Sequence, residues 1–174
     1  MTTPKNEKNI TLYGEAVFIF LNERDTAFGE PGEYKVTIKV PRAKAGALIR
    51  NIDEVINEEL KMPDVYNSPI TTMTRKPYKV VGDEVHFKAH SQFKPVLWDK
   101  DQNKLDEKIN VWKGSTLWAN CKASGYTKAI GSGATLLLGS VQIDKLVEGQ
   151  SLDTCPFPKR NESALPGPEK TVAL

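Results

Sequence analysis

The chain has 174 residues, 24 Lys and Arg against 22 Asp and Glu, and 39% apolar residues, a composition that suits one globular domain with a proper core. No apolar run approaches the roughly 18 residues of a membrane span, and the opening MTTPKNEKNI lacks the apolar stretch of a secretory signal, so a cytoplasmic protein with no membrane partner is expected. Cys121 and Cys155 are too few for a disulfide framework or a zinc cage, so neither a metal nor another cofactor is expected.

Asn9 to Leu21 (NITLYGEAVFIFL) predicts a long strand. Strict alternation puts Ile10, Leu12, Ala16, Phe18 and Phe20 on one face and Tyr13, Val17 and Ile19 on the other, with Gly14 marking a bend or bulge. After a turn rich in Gly and Pro, Tyr34, Val36, Ile38 and Val40 alternate with Lys35, Thr37 and Lys39, a strand with one dry and one wet face. From Pro41 to Lys61 the period changes. Ala45, Leu48, Ile49, Ile52, Val55, Ile56 and Leu60 recur at three-and-four spacing, which predicts an amphipathic helix plugging one end or side of the sheet structure.

Met62 to Lys76 has no period and is expected to be a long loop. Short strands are expected at Tyr78 to Val81, at Val85 to His90 and at Lys94 to Asp99, with a polar tip at Asp99 to Lys104. Leu117, Ala119, Cys121 and Ala123 then form a dry face opposite Thr116, Trp118, Asn120 and Lys122. A Gly/Ser loop at Gly131 to Gly133 precedes a largely buried strand from Ala134 to Leu146. From Glu148 the composition turns Pro-rich, so residues 148–174 are expected to be a flexible, disordered tail and residues 1–147 the domain. Many strands, one inserted helix and a tail predict a mostly β (α+β) fold, with a five-stranded, partly open barrel leading.

Between Arg75 and Lys128 lie eleven cations and six anions, a net +5 inside a chain of net +2. Tyr78, Phe93, Trp98, Trp112, Trp118 and Tyr126 are interleaved with them. Lysines neutralise phosphates and release counterions without regard to sequence. Exposed rings stack on unpaired bases. This combination points to single-stranded nucleic acid, with Arg75, Lys76, Tyr78, Lys88, Phe93, Trp112, Trp118, Lys122 and Tyr126 as the candidate contacts. Trp118 is the sharpest case, because its neighbours claim the core and leave the indole outward beside Lys122. Each residue also has a plainer reading: lysine-rich windows are ordinarily solvated surface, Trp98 shares a face with Val96, and Trp112 before Gly114 fits a wedge closing the barrel.

Signals for an enzyme are poor. His86 and His90 flank Lys88 on a strand face, which is not the spacing of a helical zinc pair. Gly131-Ser132-Gly133 lacks the Lys-Ser/Thr of a phosphate loop, and Cys121 falls on the core face. A binding protein without catalysis is expected.

Val111-Trp112-Lys113-Gly114, the aromatic and small residues of Trp118 to Ala123, the Gly-rich stretch Gly131 to Gly133 and the Ser140-Val141-Gln142 strand together resemble the C-terminal half of bacteriophage single-stranded DNA-binding proteins. The resemblance covers Val111 to Val147 closely and the rest only by element order. It implies an oligonucleotide-binding (OB) fold, a role in phage DNA replication or recombination in an infected host cell, and replication proteins of phage or host as partners. By motif match it implies Trp112, Trp118, Lys122 and Tyr126 as DNA contacts. The expected tail departs from the strongly acidic one of many such proteins: Glu148, Asp153, Glu162 and Glu169 face Lys159, Arg160 and Lys170. RNA as ligand, self-association, and a protein–protein adaptor or phage structural module on the same barrel remain open as alternatives.

Overall fold

A computed structural model describes residues 6–27, 29–60, 75–128 and 131–148. In chain order these form β1 (Glu7–Asp25), β2 (Glu33–Pro41), α1 (Arg42–Leu60), β3 (Tyr78–Val81), β4 (Glu84–Ser91), β5 (Leu97–Trp98), β6 (Thr116–Lys128) and β7 (Gly131–Lys145). Neighbouring strands run β4-β2-β1-β6-β7, and β7 returns to β4 in parallel through Ala89–Leu136 and His90–Leu137. The five strands therefore close a barrel of OB type, sealed at one seam by two residue pairs. β3 extends the sheet on the free edge of β4, and β5 lies beside β7 beyond the seam.

On β2 Val36, Ile38 and Val40 are buried and Lys39 lies outside as the alternation predicts, but Lys35, expected on the wet face, is buried against Asp25. Val85, Phe87 and Ala89 of β4 and Leu117, Ala119, Cys121 and Ala123 of β6 fill the same interior. Burial pushes the Cys121 thiol up to about 12, which makes it an inert core group. Ala45, Ile52, Val55 and Ile56 of α1 join this core, and the helix touches all five barrel strands, so it stoppers one end. Its 19 residues start directly after Pro41, as the periodicity predicts.

Three further expectations change. Strict alternation along β1 fails after Ala16. Ala16 pairs with Ile38 but Phe18 pairs with Thr37, so Val17 is an extra residue and the phase inverts. Ile19 then turns toward the core and Leu21 is buried, while Phe18 and Phe20 leave the interior face assigned to them. The expected strand at Lys94 to Asp99 contracts to Leu97–Trp98. The Gly131 to Gly133 stretch is strand, paired with Lys128, Thr127 and Tyr126, not loop. The reason lies at Gly133, where a Cβ would stand 2.4 Å from the Arg75 carbonyl oxygen: the glycine admits a neighbouring backbone instead of making a turn. Most of the expected 62–76 loop lies outside the described residues. So does the expected tail beyond Glu148, which itself still pairs with Val111.

Candidate nucleic-acid interface

β1 is long enough to serve two walls of the barrel. Residues up to Glu15 pair with β6, and from Glu15 onward the strand pairs with β2. The crossing is at Gly14, where a Cβ would sit 2.1 Å from the Lys39 carbonyl oxygen, so only glycine lets the strands pass. Just beyond it, the bulge turns Phe18 and Phe20 outward.

On that outer wall Phe18 faces Thr37, which faces Lys88, and Phe20 faces Lys35, which faces His90. The two phenyl rings lie 5.2 Å apart, and Phe18 is 42% exposed. Together with Asp25, Ala27, Lys35, Thr37 and Lys88 they line a shallow groove. Its floor is an ion pair. The Lys35 ammonium is 2.6 Å from Asp25 and 5.7 Å from the centre of the Phe18 ring, with both charged side chains almost fully buried. Lys35 and the Ala27 N–H donate to Asp25 and, with help from the nearby Lys88 charge, hold its carboxyl below the usual carboxylate range. Lys35 thus supports the ring, while exposed Lys88 carries the charge that a ligand meets.

A second backbone device places Trp112 at the adjoining pocket, which shares Phe18 and Phe20 with this groove. Trp112 to Ser115 is a turn closed by the Ser115 N–H on the Trp112 carbonyl at 3.3 Å, with Gly114 at φ +95°. Gly114 donates to the Ala16 carbonyl and Ala16 donates to the Ser115 carbonyl, both at 2.8 Å, so the turn clips onto the bulge of β1. Buried Ser115 then accepts from the Val147 N–H at 2.8 Å, anchoring the end of the fold. Trp112 does not wedge the barrel. It is 47% exposed and, with Lys113, borders a pocket whose other side is Val17 to Glu23.

Trp118 is outward as expected, but on the other wall. It is 44% exposed, with Tyr13 leaning on it at a ring separation of 4.2 Å and Gln142 on its other side. The Tyr13 hydroxyl donates to Asp144 at 2.8 Å, which raises its pKa. Lys122 follows on the same face, 3.5 Å from Glu7.

The remaining candidates divide between locations. Phe93, 82% exposed, sits just past β4, where Arg24 donates to the adjacent Gln92 carbonyl and ties this loop to the end of β1. Arg75 runs beside Gly133 on the β6–β7 hairpin, across from Tyr126. Tyr78 is not available as a platform in this arrangement: its hydroxyl donates to Asp53 of α1 at 2.6 Å and its ring packs toward Phe87. Burial and that hydrogen bond raise its pKa further. Lys76 lies over Tyr78 and within 4.0 Å of Asp53, so this pair belongs to the helix side. Lys88 lines the Phe18–Phe20 groove and Trp112 the adjoining pocket that shares those two rings, while Trp118 and Lys122 lie on another surface. Sequence reasoning missed Phe18 and Phe20, whose only outward signal was that VFIFL fits either phase.

No protein-family model matches the chain, and no curated protein matches it in sequence. Solved structures do match in fold. The gp2.5 single-stranded DNA-binding protein of bacteriophage T7 superposes with a TM-score of 0.64 at 19% identity over 86% of this chain and 98% of its own. The single-stranded DNA-binding protein of bacteriophage Enc34 in complex with single-stranded DNA gives 0.62 at 17% identity, over 85% and 95%. Its C-terminally truncated form gives 0.61 at 18%, over 85% and 94%. The OB-type barrel expected from residues 111–147 is thus shared across most of the chain.

Proposed function

We propose that this chain binds single-stranded DNA without sequence preference, in phage DNA replication or recombination, and catalyses no reaction. The carrying observation is exposed Phe18 and half-buried Phe20, paired beside Lys88 on the wall of the first three barrel strands. OB barrels bind oligonucleotides on the face of their second and third strands, which here are β2 and β4. Bases stack on Phe18, Phe20 and Trp112, while Lys88 and Lys113 neutralise phosphates. Phe93 and Arg75 extend the contact at the two ends of the wall. Residues up to 147 carry this activity, and 148–174 are not needed for it. The likeness to phage proteins named for single-stranded DNA binding, one of them solved with its DNA, supports the same ligand.

The test is quenching of tryptophan fluorescence by oligo-dT with the Phe18→Ala/Phe20→Ala double variant. Loss of two stacking platforms, each worth roughly 1–3 kcal/mol, weakens binding by at least about tenfold. Unchanged affinity in a variant with an unchanged melting curve would contradict the assignment.

A further inference from the structure

One rung of the sheet crosses four strands on the opposite wall. Trp98 of β5 pairs with Gln142 of β7, Gln142 with Trp118 of β6, and Trp118 with Tyr13 of β1. Paired residues share a face, so the two indoles flank Gln142 about 10 Å apart, two strand spacings. The Gln142 amide donates to the Asp99 and Lys100 carbonyls at 3.2 and 3.4 Å, which holds the 99–104 tip beside the cleft. The walls between the indoles are Thr11, Gln102, Asn120, Ser140 and Gln142: hydroxyls and amides, with no aliphatic side chain.

That lining suits a base better than an apolar peptide. Rings offer a stacking face, and amides offer donors and acceptors for base edges. Charge at the rim is mixed: Lys104 lies 5.9 Å from the Trp98 ring and Lys122 lies four residues after Trp118, while the 99–104 tip also carries Lys100, Asp99 and Asp101. Of the nearby anions, Asp144 accepts from the Tyr13 hydroxyl, Asp99 accepts from the Asp101 and Asn103 N–H groups, and Glu7 pairs with the Lys122 ammonium. We propose that the Trp98–Gln142–Trp118–Tyr13 cleft is a second base-binding subsite for single-stranded DNA, separate from the Phe18–Phe20 groove. It rests on the single-stranded DNA reading. β1 links the two, since Tyr13 and Phe18 are five residues, about 16 Å, apart along one strand.

The experiment uses the full chain and oligo-dT of graded length carrying 5-iodouracil, with photocrosslinks mapped to peptides. Short oligonucleotides should crosslink at the Phe18–Trp112 groove, and longer ones also at Trp118, Trp98 or Tyr13. In parallel, Trp118→Ala should weaken binding of the longer oligonucleotides about fivefold or more while sparing the short ones, and Trp118→Phe should restore it by keeping a ring. Adducts confined to the groove at every length overturn the second subsite and leave the first intact. A Trp118→Ala variant that binds all lengths normally but loses self-association makes the cleft a protein surface and also overturns it. Failure of the unmodified chain to bind any length removes the DNA reading itself.

Discussion

Phe18 and Lys88 illustrate how one wall divides its labour between residues. Phe18 offers a ring whose position is held by Lys35, and Lys35 is in turn compensated by Asp25, leaving exposed Lys88 as the charge facing outward. Lys88→Ala should therefore lower the dependence of log affinity on log salt by roughly 0.7, the single-strand counterion term for one phosphate contact, with little change in melting temperature. Asp25 predicts a different, pH-dependent behaviour. Its folded pKa lies below the ordinary 3.8, so its contribution to stability is complete above that value and is lost as pH falls through the lower folded pKa. Urea unfolding at pH 7 and near pH 3 checks this. Asp25→Asn should be less stable than the parent at pH 7, with the gap narrowing in acid; a gap that persists or widens there would argue against the pair. Residue identities alone do not reveal this arrangement, because an outward strand lysine normally reads as solvated.

At the scale of elements, two glycines and one bulge build the groove. Gly14→Ala would press a methyl against the Lys39 carbonyl and should cost roughly 1–3 kcal/mol, seen as a lower melting temperature. Gly114→Ala meets the Val147 side chain at an ordinary 3.7 Å but must adopt φ +95°, which costs about 1 kcal/mol or more. Because its turn is clipped to the bulge at Ala16, oligonucleotide affinity should fall along with stability. α1 was legible in the sequence, since its period is uninterrupted and it has one buried face; β2 was legible in its dry face but not in the burial of Lys35 on the other. β1 was legible as a strand but not in phase: an extra residue at Val17 inverts the pattern, and its cause is the Trp112–Ser115 turn roughly a hundred residues away in sequence. Gly131 to Gly133 failed for a related reason, because a glycine required by a passing backbone looks the same as one required by a turn. Trp118 was legible because its neighbours at every second position are small or apolar and buried. Phe18 and Phe20, the residues now given the central role, were hidden by being apolar in an apolar run.

Taken as a whole, the molecule is a barrel whose long first strand contributes to two aromatic walls, with a helix closing one end. The net +2 of the chain conceals a +5 window between Arg75 and Lys128, and those cations are spread around the barrel. Lys88 lies at the groove and Lys113 at the pocket adjoining it, Lys104 and Lys122 beside the opposite cleft, and Lys76 on the helix side. A few lysines per strand contact imply moderate electrostatics, with a log–log salt slope of about −2 for three phosphates, and a larger share of affinity from stacking. Stacking requires unpaired bases, which a duplex does not offer. The most direct measurement is therefore a fluorescence titration of the full chain with a single-stranded oligonucleotide and with the duplex of the same length and salt. Strong tryptophan quenching and tight binding for the single strand, with binding to the duplex at least about a hundredfold weaker, is the expected result. Equal affinity for both, or no binding to either at low salt, would contradict the account.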